Sequence, residues 1–260
     1  MGKGGADMTG VWTFLSDPAN WSGSDGIWNR LFEHLLYTFL ALAIAALIAL
    51  PLGALIGHTG RGAGLIGGVA NALRALPSLG LLILLVLWGL DNLPGESAIT
   101  APAIAVLVIL GIPPMLTNTY AGIAAVDPAA RDAASGMGMT GGQVLRRVEL
   151  PIALPLVISG VRSAFLQIVA TATIAAYVSL GGLGRYLIDG PKAIVNPYGI
   201  MAGGAVLVAV LAIVGDRLIA GIGALVVSPG LTGRRQRRRA GPLLAEVRIA
   251  EAREGATVTS

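Results

Sequence analysis

Residues 40–50 read Leu-Ala-Leu-Ala-Ile-Ala-Ala-Leu-Ile-Ala-Leu, a run without a polar side chain. This run is apolar on every side, as is the run 79–87, whereas a strand of a membrane barrel alternates apolar and polar residues. Both runs therefore predict helices surrounded by hydrocarbon. Of the 260 residues, 55% are apolar and 12% charged, and the mean hydropathy is +0.77. Soluble domains carry about 25% charged residues. We predict an all-α polytopic membrane protein.

Five stretches are apolar over the length of about 20 residues that a bilayer crossing requires. They are roughly 31–56, 62–90, 98–126, 154–180 and 199–227. The second stretch contains Arg74 and Pro77, and we interpret it as one kinked helix or two short ones, which gives five or six spans. The predicted organisation is an extracytoplasmic segment 1–30, a transmembrane domain 31–227, and a basic tail 228–260 that is disordered or partly helical.

The placement of arginine predicts the orientation in the membrane. Positive side chains occur in the connection 57–61, in the segment 127–150, and in the tail, which contains Arg234, Arg235, Arg237, Arg238 and Arg239. By the positive-inside rule these parts are cytoplasmic, which puts the N-terminus outside and the C-terminus inside. A nucleic-acid-binding protein can contain such an arginine run. In a chain this apolar, we expect contact with membrane lipid and no nucleic acid.

Two kinds of feature are missing from the sequence. It has no cysteine, and His34 and His58 lie far apart, so we predict no metal site. Residues 1–20 contain no basic segment followed by a short apolar core, so they do not predict a cleavable signal. The first apolar stretch is therefore expected to stay in the mature protein.

The longest polar connection inside the chain is the segment 127–150. Asp127 and Pro128 are a typical N-cap and first-turn pair, and the alanines that follow favour a short helix. Gly136 and Gly138 are expected to end that helix. A second helical segment, 142–148, would present two arginines to the cytoplasm before the pair Leu150-Pro151 turns the chain back into the membrane. We predict a cytoplasmic elbow between two spans.

Seven positions in this elbow have a fixed spacing: Asp132-Ala133-Ala134, Gly138, Val148 and Leu150-Pro151. The pattern resembles the permease subunits of bacterial ATP-binding-cassette (ABC) importers. Their hallmark is Glu-Ala-Ala, three residues, Gly, nine residues, Ile, one residue and Leu-Pro. The resemblance implies that the short helix is a coupling helix, which docks in a cleft of an ATPase subunit. The residues it assigns to coupling are Asp132, Ala133, Ala134, Gly136, Gly138, Met139, Arg146, Arg147, Leu150 and Pro151.

Further stretches resemble one branch of these permeases, which imports quaternary amines and related osmoprotectants such as glycine betaine, choline, carnitine or proline. They are 74–82, 117–122, 126–130, 136–140, 170–176 and 181–184. The resemblance implies a bacterial cytoplasmic membrane and three partners: an ABC ATPase, a second permease that is identical or homologous, and an extracytoplasmic solute-binding protein. The sequence has no phosphate loop of the form Gly-x4-Gly-Lys-Ser/Thr, so ATP and Mg²⁺ are expected on the ATPase. We predict no cofactor and no catalytic residue in this chain.

Polar and helix-bending residues inside the spans are candidates for a translocation path or gate. They are Arg74, Pro77, Ser78, Pro113, Pro114, Thr117, Asn118, Thr171 and Thr173. An ionisable group within a span usually faces a cavity or a partner, so Arg74 has either a transport role or a structural contact. The threonines and Asn118 either line a path or form hydrogen bonds that pack the bundle, and packing is the simpler interpretation.

Three alternatives remain at this stage. The chain could serve a related ABC importer for another small solute such as an amino acid. An ion-coupled secondary transporter should contain buried carboxylates and an inverted repeat, but no repeat is visible and Asp216 is the one deep candidate. A membrane scaffold that binds anionic lipid through its arginine-rich tail is the third.

Overall fold

The computed structural model of the chain describes residues 8–227, and the predicted basic tail lies outside them. Within this part of the chain the regular structure is helical, without strands, which confirms the all-α prediction there. The helices are α1 (Met8–Ser16), α2 (Ile27–Thr59), α3 (Ala63–Ala75), α4 (Ser78–Asn92), α5 (Ser97–Ala124), α6 (Pro128–Gly136), α7 (Gly141–Val144), α8 (Leu150–Ala175), α9 (Arg185–Asp189) and α10 (Pro197–Val226).

Four of the predicted apolar stretches correspond to helices long enough to cross a membrane: α2, α5, the continuous helix Gly141–Val178 that contains α7 and α8, and α10. The second stretch consists of two helices, α3 and α4, whose axes are bent by 79°. Leu76 and Pro77 are extended at this break. Proline disfavours the helical conformation in the residue before it and cannot donate a helical hydrogen bond, which explains the break.

The centre of the bundle consists of α2, α5 and α8. Small residues of α2, among them Ala41, Ala45 and Ala49, pack against Met115 of α5 and Ile168 of α8. Gly53 of α2 faces residues 116 and 119 of α5, and Gly57 faces residues 120 and 123, so the two helices run in the same direction. On α8, Gly160 faces residues 114–118 of α5, whereas Ala153 faces Gly122, so α8 runs in the opposite direction.

The part of the N-terminal segment that the structure describes contains a helix that we did not predict from sequence. Helix α2 begins at Ile27, four residues before the predicted span, and α1 precedes it. Phe14 of α1 packs on Gly203 of α10, and Asn196 donates from Nδ2 to Gly10 O at 2.7 Å. Helix α10 therefore contacts α1 and α9 in its N-terminal part, and α8 farther along, where Gly215 faces Phe165 and Gly223 faces Ile158.

Candidate coupling segment and translocation cavity

The short helix α6 forms for the local reasons expected from sequence. The Asp127 side chain accepts a hydrogen bond from Ala129 N at 2.9 Å, and Pro128 occupies the first turn. The helix ends at Gly136, and Gly138 has a left-handed backbone with φ of +84°. Glycine adopts this conformation at little cost, so the chain reverses there and leads into α7. The prediction of a short helix ended by two glycines is confirmed.

The residues that we assigned to coupling divide into an outward and an inward group. Ala134 is buried and Met139 and Leu150 are partly buried. The exposed ones are Asp132, Ala133, Gly136, Gly138, Arg146, Arg147 and Pro151. Met137, which we did not predict, is 73% exposed between the two glycines. Helix α6 thus presents small side chains and one carboxylate, and the residue that follows the helix adds a flexible thioether.

The predicted turn at Leu150-Pro151 is wrong. Helix α7 continues through a π-helical turn, Leu145–Glu149, directly into α8, so the chain is helical without interruption from Gly141 to Val178. Pro151 lies inside this continuous helix, directly after the wider π turn, and it lacks the N–H that an interior helical residue normally donates. The elbow is therefore α6 and its glycine turn alone, whereas Arg146 and Arg147 lie on the extension of the span.

A buried carboxylate connects α6 to the bundle. Glu149 is 1% exposed; its Oε2 lies 2.7 Å from Nδ1 of His58 on α2, and its Oε1 lies 3.0 Å from Nε of Arg131 on α6. The contact with Arg131 Nε is an ion pair without the alignment of a hydrogen bond. Arg131 also donates from Nη2 to Ile123 O on α5. We call His58, Arg131 and Glu149 the ionic joint.

Sequence reasoning missed the ionic joint. From the sequence, Arg131 was considered only as one of the positive charges that predict the orientation in the membrane. His58 was considered only as a residue too distant from His34 to share a metal. One available signal was Glu149 itself, a carboxylate between two apolar residues at the start of a span. Such a group requires a partner when it is buried.

A cavity of about 440 Å³ lies between the bent pair α3–α4, α5 and α8. Ser78 lines it from α4, Pro113 and Pro114 line it from α5, and Ser163 and Gln167 line it from α8. The predicted path residues Ser78, Pro113 and Pro114 are thus brought together. Ser163 and Gln167 were missed, although their spacing of four residues places them on one helix face.

Prolines give this cavity an unusual wall. Helix α5 continues through Pro113 and Pro114, neither of which has an N–H group. The carbonyl groups of Ile109 and Leu110 therefore lack the donor that a helix normally supplies four residues later. Leu110 also lines the cavity. The cavity wall thus combines these two prolines with polar side chains of α4 and α8.

The remaining predicted path residues do not line the described part of this cavity. Thr117 and Asn118 donate at 2.8 Å to the carbonyls of Pro113 and Pro114, and Thr171 and Thr173 donate to carbonyls four residues earlier on α8. These bonds lie within single helices and do not cross between them. Pro77 lies at the break between α3 and α4. Arg74 belongs to α3, but its side chain lies outside the described part of the structure.

Helices α8 and α10 are joined by a charged pair. Arg162 donates from Nε and Nη2 to the two carboxylate oxygens of Asp216 at 2.8 and 2.7 Å. Their side chains are 38% and 16% exposed. The one deep carboxylate considered for an ion-coupled transporter is thus paired with an arginine.

The other end of the bundle has its own polar network. Glu33 Oε2 accepts from Gly182 N at 2.7 Å and pairs with Arg30, which connects the start of α2 to the loop after α8. Tyr186 donates to Asp25 O at 2.7 Å, and burial raises the pKa of its phenol to about 12. A second cavity of about 430 Å³ lies here, lined in part by Phe14, Arg30, Arg185, Tyr186 and Asp189.

Residues 49–226 match the family of binding-protein-dependent transport system inner membrane components. The chain belongs to this family. The matched range covers the bundle helices from the last third of α2 to the end of α10, and it includes α6 and the ionic joint.

The chain is also similar to individual permeases. It is 34% identical over 205 residues to a glycine betaine/carnitine/choline transport system permease protein of Bacillus subtilis, a match covering 78% of this chain and 90% of that protein. It is 35% identical to a choline transport system permease protein of the same organism, covering 74% and 84%. It is 34% identical to an osmoprotectant import permease protein of Salmonella typhimurium, covering 72% and 86%.

The fold of this permease-family chain matches that of a solved transporter. A chain from inward-facing conformations of the methionine ABC transporter MetNI superposes with a TM-score of 0.66 at 21% identity, covering 78% of this chain and 96% of that one. At this level of identity the comparison bears on the fold only. It supports the arrangement of the bundle helices described above.

Proposed function

We propose that the chain is the permease subunit of an ABC importer for osmoprotectants of the glycine betaine, choline and carnitine class, in the cytoplasmic membrane of a bacterium. The family match and the names of the similar permeases support the assignment. The observation that carries the coupling role is α6, a capped helix outside the apolar spans that presents small exposed side chains. ATP and Mg²⁺ bind to a separate ATPase subunit in this proposal.

Helix α6 acts as the coupling helix. Ala133 and Gly136 leave its exposed face slim enough to enter a cleft, and Asp132 supplies a charge for a basic or amide partner. A ligand-driven change of conformation requires contacts that differ between the two states. Closure of two ATPases on ATP provides that difference, because it moves the docked helices.

We propose five spans, with α3 and α4 together forming one crossing. This count is supported by the direction of α2 and α5, which run parallel, because the chain between them must return to the side where α2 began. The arginines of α6 and of the α7 extension then lie in the cytoplasm together with the tail 228–260, and the N-terminus lies outside.

The 440 Å³ cavity is our candidate for one wall of the translocation path. Ser163 and Gln167 are exposed near the middle of the α8 span. A polar side chain facing lipid at that depth is unfavourable, so this face requires water or protein opposite it. We therefore place a second permease, identical or homologous, across the path, and a solute-binding protein at the Glu33–Tyr186 end.

The coupling role is tested by blocking the face of α6. Ala133→Trp adds a large side chain to an exposed position without disturbing a described internal contact, unlike a change at Gly138, whose positive φ penalises any side chain. We expect the variant to reach the membrane but to lose co-purification with the ATPase. Ile194→Trp is the control, because Ile194 is wholly exposed at the opposite end. Retention of the ATPase by Ala133→Trp would refute docking through α6.

The substrate class is tested on the partner solute-binding protein and then on uptake. Calorimetric titration with glycine betaine, choline, carnitine, proline and methionine identifies the ligand class. Uptake of the best ligand into proteoliposomes containing the whole complex tests the class for this permease. Preference for methionine would instead favour the alternative of an amino-acid importer.

A further inference from the structure

The ionic joint is the main connection between α6 and the membrane helices. Within α6, which is described in full, Ala134 is the one buried residue, and Gly136 has no atom near enough to touch an added Cβ. Packing therefore holds α6 only weakly. Arg131 holds it to Ile123 O of α5 and to the carboxylate of Glu149.

We propose that the ionic joint transmits a displacement of α6 to α2 and α8, and that Glu149 is the positioning residue on which this transmission depends. The inference rests on the proposed function, in which α6 docks with the ATPase. It adds a role for residues that the coupling motif does not specify, in particular for His58 on a helix far away in sequence.

The physical reason is the cost of an unpaired buried charge. A carboxylate removed from water is stable only while charged or hydrogen-bonding partners surround it. If α6 moved away alone, Glu149 would lose Arg131 and remain buried with His58 only. Moving the start of α8 and the end of α2 together with α6 avoids this cost. Joint movement of α6, the start of α8 and the end of α2 therefore costs less free energy than movement of α6 alone.

Both routes from the joint lead to the transport machinery. Along α8, Ser163 and Gln167 of the cavity lie 14 and 18 residues after Glu149, which is about 21 and 27 Å of helix rise. Along α2, His58 follows Gly57, where a Cβ would come within 2.7 Å of Ile123 on α5. A displacement of the ionic joint is thus passed along α8 to one wall of the cavity. It also acts on the contact between α2 and α5, because His58 is next to Gly57.

The test measures how many substrate molecules are taken up for each ATP hydrolysed by the complete importer in proteoliposomes. Glu149→Gln keeps the size of the side chain and removes its charge. We expect ATP hydrolysis near the wild-type rate and an uptake per ATP lowered about tenfold, the effect typical of a residue that couples two sites. Asp216→Asn is the matched control, because its carboxylate also pairs with an arginine of the bundle but does not contact α6. Its uptake per ATP should equal that of the wild type.

The possible results separate transmission from simple support. Glu149→Gln with wild-type uptake per ATP overturns the proposal. A parallel loss of folded protein, ATP hydrolysis and uptake, with an unchanged ratio in the remaining complex, also overturns it, because a purely structural tie behaves in this way. If Glu149→Gln does not accumulate in the membrane, the double variant Arg131→Gln, Glu149→Gln replaces it, because it leaves no unpaired charge in that pair. Wild-type uptake per ATP in the double variant overturns the proposal. A wild-type chain that fails to bind the ATPase points instead to failure of the proposed function.

Discussion

Replacing Gly57 with alanine should separate α2 from α5. The new Cβ would lie 2.7 Å from Cβ and 2.9 Å from Cγ2 of Ile123, and 3.1 Å from Tyr120 O. Carbon atoms in ordinary contact are about 3.5–4.0 Å apart, so the helices must move by about 1 Å or Ile123 must leave its rotamer. Such overpacking costs about 1–3 kcal/mol. The higher helix propensity of alanine relative to glycine offsets about 1 kcal/mol of this loss in stability. We therefore expect a net loss of about 1 kcal/mol.

A loss of this size lowers the unfolding midpoint of a domain this large by about 2–4 °C. The measurement is the fraction of purified protein that remains monodisperse after heating in detergent. Gly221→Ala is the control, because a Cβ on this glycine of α10 meets no atom within 4 Å, so the variant should match or exceed the wild type. If Gly57→Ala is as heat-resistant as Gly221→Ala, the close approach of α2 and α5 is refuted.

Three further variants test other contacts. Asp216→Asn removes the charged pair with Arg162, which is 38% exposed and therefore screened by solvent, so the variant should lose little heat resistance relative to the wild type. Gln167→Leu removes an exposed polar group from the cavity and should lower uptake about fivefold, the effect of one hydrogen bond, while ATPase co-purification stays unchanged. Burial raises the pKa of the Tyr186 phenol, and the stability linked to this shift is fully present below pH 10.0 and is lost as pH rises through about 12. Tyr186→Phe has no group at this position that titrates in this range. Its heat resistance should therefore decline less between pH 10.0 and about 12 than that of the wild type.

The features that could be predicted from sequence are those with local causes. Long apolar runs specify spans because a bilayer offers no partner for free backbone groups. Asp127 and Pro128 specify the start of α6 because the cap and the proline act on the turn in which they lie. The break in the second apolar stretch, between α3 and α4, also has a local cause, Pro77.

The features that could not be predicted depend on distant residues. The pair Leu150-Pro151 predicts a turn because proline removes a helical hydrogen bond, and the π turn through which the helix continues instead is not visible in the residue pattern. Glu149 finds one partner 91 positions earlier on α2, a pairing that a single sequence does not reveal. The sequence could have predicted that Ser163 and Gln167 share one helix face, because they are four residues apart. Only the fold shows that the prolines of α5 lie across the cavity from them.

The parallel arrangement of α2 and α5 has a consequence for synthesis on the ribosome. Gly57 meets Ile123, 66 positions later, so the small-residue face of α2 leaves the ribosome well before its partner exists. Until α3 and α4 have been inserted and α5 has followed, that face must contact lipid or the insertion machinery. A nascent chain halted before residue 97 therefore exposes a strip of alanine and glycine in the membrane, because the α5 side chains that cover this strip have not yet been made.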